Sequence, residues 1–245
     1  MVSGKYSALS GSIARQQAMD TIANNLANLN TTGFKKDRIS FESVLKGSQQ
    51  TGRAKGINYS RIRTIGTDFS QGALRDTGRD LDVAISGEGF FKIQRDGQTF
   101  FSRNGSFYID QNNMLKTADN FNVLNESGQP IQVPDAQGKK IYIDESGNII
   151  LDNTPSGQKI QVFTVSDPAG LEKTGDSLYR LGQGATSRPA TETRIVQGSL
   201  ETSNINMVEE MTRMIETQRR FDACVKVQKS FSTIGEKQSE LGTVA

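Results

Sequence analysis

The sequence predicts an α+β protein with a helix at each end of the chain and an antiparallel β domain between them. Apolar side chains recur every three or four residues near both termini, which is the spacing of one helix face. The middle consists of short alternating segments separated by turns rich in glycine, asparagine and aspartate, as in antiparallel sheets. Because both apolar series are narrow, we expect the two helices to pair in the manner of a coiled coil.

Composition sets limits on the class of protein. The chain has 245 residues, enough to bury a sizeable core. Its formal net charge is +2, so no nucleic-acid partner is expected. Mean hydropathy is −0.51 and no apolar run approaches the ~20 residues that span a bilayer, so we expect no membrane insertion. The N-terminus lacks the pattern of a cleaved signal peptide, so export is expected to occur without one.

The residues needed for common catalytic sites are scarce. The chain has no histidine and one cysteine, Cys224, which removes the commonest general base and metal ligand and excludes an intrachain disulfide. Asp80 and Asp82 form the one obvious close acidic pair, and on a strand they would share a face. We therefore expect no enzyme, no small-molecule substrate, no metal and no cofactor. A hydrolase based on two carboxylates is the alternative, and it requires that they converge in a cleft.

The first helix is predicted from Ser3 to Leu29. Four asparagines between positions 24 and 30 lower its intrinsic stability. Asn24 and Asn28 would share a face, and asparagine in a helix seam fixes the register of the partners; the alternative is a frayed, solvated helix end. Gly33 is placed to end the helix with a positive φ. The apolar face comprises Tyr6, Leu9, Ile13, Met19, Ile22, Leu26 and Leu29.

The second helix is predicted over residues 205–234. Asn206 and Glu209 have the spacing of a capping box at its start. Three methionines in its seam could adapt to neighbours that are not equivalent, or simply fill gaps in an ordinary coiled coil. Cys224 lies beside this seam. The seam positions alternate by four and three residues: Met207, Met211, Met214, Gln218, Phe221, Val225 and Gln228.

The β domain is predicted over residues 81–198, and residues 35–80 are predicted to form an extended linking arm with a loop at 47–56. From Leu81 to Ile93 apolar residues and glycines alternate with period two, which predicts one long strand. Gly87 and Gly89 indicate either a close approach of another group or a bulge. Asp96-Gly97 predicts a tight hairpin turn, and similar turn residues recur further along the chain.

Three segments resemble the flagellar rod and hook protein family. The first runs from Ile22 to Lys35 and includes Asn25, Asn28 and Gly33; the second contains Asp82, Gly87, Gly89, Phe90 and Phe91; the third runs from Val208 to Arg219. The resemblance implies an axial component of the flagellar basal-body rod, a self-assembling helical tube that transmits torque. It also implies that residues 1–34 and 199–245 form an inner core of coiled-coil helices, and that residues 81–198 form an outer domain.

The resemblance implies partners and a location. The partners would be other rod subunits, and the flagellar type III export apparatus during delivery to the rod. The expected assembly interface comprises Met19, Ile22, Asn24, Asn25, Leu26, Asn28, Leu29, Met211, Met214, Gln218, Phe221 and Val225.

The member of the family is a separate question. The chain is short between Phe41 and Asp82, which favours a proximal-rod member over a distal-rod member. A hook-type axial protein is a further alternative. A secreted adhesin or binding module with a helical stalk is the alternative from another class, and it would need a ligand pocket in the β domain.

Overall fold

The computed structural model describes residues 2–46, 57–134, 136 and 138–242. The chain forms two compact units. The helical unit comprises residues 1–27, 37–68 and 206–245, and the β unit comprises residues 28–36 and 69–205. The predicted α+β class is confirmed. The boundaries predicted for the core, arm and outer domains remain predictions.

The helical unit contains two antiparallel helices, α1 (Val2–Ala27) and α2 (Met207–Gly242). Gly4 lies against Phe231 and Gly11 lies against Cys224, so the numbering rises along one helix as it falls along the other. The predicted pairing of the terminal helices is therefore confirmed. Neither of these described helices is apolar enough over sufficient length to cross a membrane.

The start of α2 follows the predicted capping chemistry. The side-chain oxygen of Asn206 accepts hydrogen bonds from the backbone N–H groups of Val208 and Glu209, at 3.1 and 3.3 Å. These bonds satisfy donors that the first turn of a helix otherwise leaves unpaired. The Glu209 carboxylate pairs with Arg213 one turn later, at 2.6 Å.

The helical unit also contains a long hairpin of β1 (Asp37–Lys46) and β2 (Ile57–Thr67). The strands are antiparallel, and the register shifts by one residue between Ser40 and Phe41. Much of the stretch predicted as an extended arm is therefore a paired hairpin. The predicted loop at 47–56 lies outside the described residues.

The β unit consists of short strands and one 3₁₀ turn, Pro168–Gly170. The strands are β3 (Leu74–Asp76), β4 (Val83–Ser86), β5 (Phe90–Arg95), β6 (Gln98–Ser102), β7 (Phe107–Ile109), β8 (Leu115–Thr117), β9 (Asn122–Val123), β10 (Ile141–Ile143), β11 (Asn148–Leu151), β12 (Thr154–Lys159), β13 (Val162–Val165), β14 (Leu171–Gly175), β15 (Leu178–Leu181), β16 (Ser187–Pro189), β17 (Arg194–Gln197) and β18 (Ser199–Glu201).

Within the described residues the largest sheet has nine strands, and every strand pair is antiparallel. Its main path runs β14-β15-β6-β5-β9-β8-β7, with β13 joining β5 to β16. The predicted Asp96-Gly97 hairpin is confirmed between β5 and β6, and both residues have positive φ. Strands β10, β11 and β12 form a smaller sheet, while β4 pairs with β17 and β3 with β18.

The predicted single strand from Leu81 to Ile93 is wrong. It is divided into β4 and β5, which belong to different sheets. The chain turns at Gly87 and Gly89, where φ is +111° and +135°. A Cβ on Gly89 would lie 2.5 Å from Cγ1 of Val162 and 3.1 Å from the carbonyl oxygen of Phe163. The close approach predicted for Gly89 is therefore confirmed. Glycine at this position leaves room for the neighbouring strand, so the alternation of apolar residues and glycines continues through the turn between β4 and β5.

Two apolar clusters fill the β unit. Phe91 belongs to the larger one, with Val83, Ile85 and Phe107 among its members. Phe90, its neighbour along β5, points into the second cluster beside Tyr179. Because successive side chains of a strand face opposite sides, these two family-motif phenylalanines anchor β5 in both clusters.

Candidate assembly surface

The contact between α1 and α2 is made on α1 by small residues. A Cβ on Gly4 would lie 2.7 Å from Cζ of Phe231, and one on Gly11 would lie 3.3 Å from Sγ of Cys224. Ala18, seven residues after Gly11, is also buried. A seven-residue repeat of small side chains keeps one face of α1 against its partner and lets the helices approach closely.

The residues of α2 that face α1 include Cys224, next to the predicted seam, and Gln228, a member of that seam. Cys224 contacts Gly11, and Nε2 of Gln228 donates to Oγ of Ser12 at 3.2 Å. Three predicted positions, Met214, Phe221 and Val225, are half-buried, whereas Met211 and Gln218 are exposed. The face of α2 towards α1 therefore overlaps the predicted seam without coinciding with it. Cys224, placed beside the seam from the sequence, lies within it.

The predicted apolar face of α1 likewise contains both buried and exposed residues. Ile22 is buried and Met19 and Leu26 are half-buried, but the first three members of the series are exposed. The contact with α2 uses small side chains, and a search for large apolar residues does not detect them. The signal that could have revealed this face is the spacing of Gly4, Gly11, Ala18 and Asn25.

The buried asparagine of α1 is Asn25. Its amide donates to the carbonyl of Asp37 and accepts from the N–H of Asp37, both at 3.0 Å. Asn25 thereby pairs the backbone N–H and carbonyl of Asp37, the first residue of β1, as a neighbouring strand would. Asn24 is exposed, and Asn28 lies in the turn after α1, where its side chain accepts from Oγ1 of Thr31. Because the helix ends at Ala27, Asn28 lies directly after it, and the register role predicted for Asn24 and Asn28 stays a prediction.

Replacing Asn25 by leucine is expected to lower the free energy of unfolding by about 2 kcal/mol. The side chain keeps its volume, but both backbone groups of Asp37 lose their partner, and each partly buried group left unpaired costs ~1–3 kcal/mol. Urea unfolding followed by circular dichroism measures the change. Asn24→Leu is the control at an exposed position, and equal losses in both variants would contradict the role given to Asn25.

The end of the first family segment lies in the β unit, where Gly33 has φ +67°. Its N–H donates to the carbonyl of Glu201 at 2.8 Å. Next to it, Nζ of Lys35 contacts Oε1 of Glu201 at 2.5 Å and donates to the carbonyl of Ser70 at 2.7 Å. Leu29, predicted for the assembly interface, is half-buried in this unit. Residues 33–35 therefore pack against strand β18, which contains Glu201.

Three charged side chains form a buried triad: Lys35, Arg103 and Glu201. Nη1 of Arg103 lies 3.1 Å from Oε2 of Glu201, and all three side chains are no more than 3% exposed. Burial lowers the pKa of the Arg103 guanidinium, and the Glu201 carboxylate opposes that shift. The Glu201 carboxylate thus pairs with both Lys35 and Arg103. Sequence reasoning missed the triad because Lys35 and Glu201 are separated by 166 positions.

Asp82 has a structural role in the β unit. Its carboxylate accepts hydrogen bonds from Oγ1 of Thr77 at 2.7 Å and from Oγ of Ser106 at 3.4 Å. Its carbonyl accepts from the N–H of Gly198 at 2.8 Å. Asp82 is buried and Asp80 is exposed, so the two carboxylates do not share one environment.

Paired terminal helices with a β unit inserted between them in sequence define the class of axial proteins of the flagellar rod and hook. Three family models match the chain in order: "Flagella basal body rod protein" at residues 6–35, "Flagellar hook protein FlgE/F/G D1 domain" at 84–151, and "Flagellar basal body rod FlgEFG protein C-terminal" at 196–236.

Relatives match over nearly the whole chain. The flagellar basal-body rod protein FlgG of Bacillus subtilis is 36% identical, over 93% of this chain and 94% of its own length. FlgG of Borreliella burgdorferi is 34% identical, over 96% and 97%. FlgF of Caulobacter vibrioides is 31% identical, over 91% and 90%. The chain belongs to the flagellar basal-body rod protein family.

The buried triad spans the three matched segments. Lys35 comes from the first segment, Arg103 from the second and Glu201 from the third. The relatives carry rod names, which does not favour the stalked adhesin considered from the sequence. Relatives named FlgF and FlgG both match, so the comparisons show the family without choosing a member.

Proposed function

We propose that this chain is a structural axial subunit of the bacterial flagellar basal-body rod. It assembles with further copies and with other rod subunits into a helical tube that transmits torque. Family membership supports the proposal, and so does the distribution of apolar side chains on the helical unit. The subunit reaches the rod through the flagellar export apparatus, without a cleaved signal peptide, and it catalyses no reaction.

The observation that supports assembly most directly is the number of large apolar residues exposed on the two helices. Grouped apolar exposure of this kind is typical of surfaces that bind another protein. These side chains are 44–74% exposed, so completing the burial of each would contribute roughly half of the ~1.5–3 kcal/mol of full burial. The exposed residues are Tyr6, Leu9 and Ile13 on α1, and Met207, Val208, Met211, Ile215, Val227 and Ile234 on α2.

In this proposal residues 1–34 and 199–245 form the inner core of the tube, residues 35–80 link it to the outer part, and residues 81–198 form the outer domain. The predicted interface residues have two roles, one within the subunit and one between subunits. Ile22 and Asn25 are buried and hold the helical unit together, while exposed Met211 and Gln218 are available to neighbouring subunits.

The position within the rod is a finer proposal. The short stretch between Phe41 and Asp82 supports a proximal position. In this family FlgG names the distal-rod member and FlgF the proximal one. Identity to relatives named FlgG reaches 36%, against 31% and 32% for two relatives named FlgF, which supports the distal alternative. Immunogold labelling of isolated basal bodies separates the two, because a proximal subunit is labelled near the inner-membrane end of the rod.

Deletion of the gene tests the function. We expect cells without this chain to be non-motile and their basal bodies to lack part of the rod. Expression of the wild-type chain should restore both, and mass spectrometry of purified basal bodies should detect it. Cells that swim and build complete rods without the chain would overturn the proposal.

A further inference from the structure

We propose that a pocket of the β unit binds a carboxylate carried on a short apolar stem, and that the guanidinium of Arg103 receives it. The pocket lies beside the buried triad and has a volume of about 220 Å³. Its walls come from the segment before β3, the turn between β4 and β5, the residue after β6 and the end of β13, all within the β unit. The inference does not depend on the rod function, because it concerns a site within a single chain.

Arg103 has a buried hydrogen-bond donor without an acceptor. Its side chain is 3% exposed, and a guanidinium carries five N–H donors. Nη1 donates to Oε2 of Glu201 at 3.1 Å. Among the described residues no group accepts a hydrogen bond from Nε, which is buried. Because buried polar groups in folded proteins normally have partners, this N–H calls for an acceptor that the described residues do not supply.

The charge of the triad favours an anion as that acceptor. Lys35 and Arg103 carry two positive charges and Glu201 carries one negative charge, so the net charge of the buried triad is +1. Burial lowers the pKa of Arg103, and the Glu88 carboxylate is one of the groups that oppose the shift. Glu88 lines the same pocket, but it is exposed to water, which screens its charge. A ligand with one negative charge would balance the triad and satisfy Nε together.

The walls of the pocket favour an apolar stem behind that charge. Phe69 and Phe90 line it, and their rings pack edge to face with centroids 5.4 Å apart. Val165 and Pro168 add further apolar surface. Pro168 is exposed and Arg103 is buried, so the cation lies at the inner end of the pocket. A ligand that is charged at one end and apolar behind it therefore matches the lining.

The volume and the charge favour a small, singly charged ligand. Pockets for drug-sized ligands measure ~300–1,000 Å³, so a pocket of about 220 Å³ holds a group of roughly the size of one side chain. A phosphate dianion would bring more charge than the triad balances, and it would lose more hydration against apolar walls. Glutamate side chains and small free monocarboxylic acids both carry the required group, and the experiment separates these two sources.

Titration of the isotopically labelled full chain, followed through the Nε–H signals of its arginines in NMR spectra, tests the pocket. In a buffer free of carboxylates, butyrate should move the Arg103 signal along a saturating curve. Butyramide has the same shape without the charge and should not move it. Acetate should bind about tenfold more weakly than butyrate, because it lacks two CH₂ groups that the rings would cover. Arg180, an exposed arginine paired with Glu172, is the control in the same spectrum and should move little.

A second pair of probes identifies the source of the carboxylate. The α-amide of N-acetylglutamate presents a glutamate side chain between two amide groups, as a protein does, and the α-amide of N-acetylglutamine is its uncharged counterpart. If the glutamate probe moves the Arg103 signal and the glutamine probe does not, the pocket accepts a side chain of another protein. If butyrate moves the signal and the glutamate probe does not, the ligand is a free acid. Either result supports a carboxylate site.

Variants at the two ends of the pocket provide an independent measurement. Glu88→Gln removes a competing negative charge and should tighten butyrate binding severalfold, whereas Glu172→Gln, at an exposed carboxylate away from the pocket, should leave it unchanged. Arg103→Lys identifies the signal and should abolish binding, with circular dichroism to check that the variant is folded. Glu88→Gln leaves the triad intact, so it tests the pocket even if Arg103→Lys does not fold.

Three results would overturn the proposal. The first is an Arg103 signal that responds to none of the carboxylates, and the second is an equal response to butyrate and butyramide; both would leave water as the partner of Nε. The third is equal movement of the Arg103 and Arg180 signals, which would show a general effect of salt. All of these measurements use the purified chain, so none of the three results bears on the rod function.

Discussion

Replacing Glu201 by glutamine is expected to lower the free energy of unfolding by about 3–5 kcal/mol, the usual cost of removing one partner from a buried ion pair. Glutamine keeps the shape of the side chain and removes its charge. Lys35 and Arg103 would then remain buried, with side chains 1% and 3% exposed, and no anion between them. Urea unfolding of the full chain, followed by tyrosine fluorescence because the chain has no tryptophan, measures the loss.

Glu172→Gln is the matched control. Its carboxylate pairs with Arg180 at 2.7 Å, but both side chains are more than half exposed. Exposed pairs contribute ~0–1 kcal/mol, so this variant should unfold almost as the wild type does. Adding Lys35→Met to Glu201→Gln should cost less than Lys35→Met alone, because the cation it removes has already lost its partner. Equal effects of Glu201→Gln and Glu172→Gln would contradict the triad.

Replacing Gly33 by alanine is expected to be the second large effect. The residue has φ +67°, which is unfavourable for a side chain, and a Cβ there would lie 2.5 Å from the carbonyl carbon of Arg103 and also against the N–H of Asn104. These neighbours are backbone atoms, so they cannot rotate away. Overpacking of this kind costs ~1–3 kcal/mol beyond the conformational penalty.

Gly78→Ala separates the two contributions. Gly78 has the same φ of +67°, and nothing lies within 4 Å of its missing Cβ. It should lose only the ~1–2 kcal/mol of the left-handed conformation. The difference between the two urea midpoints then reports the close approach alone. If both variants lose the same stability, the packing of the motif against residues 103 and 104 is not what requires glycine.

The sequence predicted those features that depend on local chemistry. The Asp96-Gly97 turn, the Asn206 cap and the heptad period of α2 involve neighbours close in the chain, and all three are confirmed. The contribution of Gly4, Gly11 and Ala18 to the helix contact was missed because these residues have no hydrophobic signature. The corner between β4 and β5 was missed because Gly87 and Gly89 preserve the alternation while changing the direction of the chain.

The buried triad could not be found from the sequence at all. Lys35, Arg103 and Glu201 are residue types that usually lie at the surface. Their burial depends on the meeting of three segments that are distant in the chain. Asn25 illustrates the same limit, since it was one of three asparagines predicted for the interface and only its contact with Asp37 distinguishes it.

The triad also determines when the β unit can be completed during synthesis. A chain made from its N-terminus presents Lys35 early and Arg103 later, but Glu201 only after roughly four-fifths of its 245 residues. Until then two cations that are buried in the finished protein lack the Glu201 carboxylate, which favours their contact with water. Burial of residues 33–35 is therefore unfavourable before Glu201 has been synthesised. A truncated chain that ends before Glu201 would leave Lys35 and Arg103 without the carboxylate that pairs with both of them.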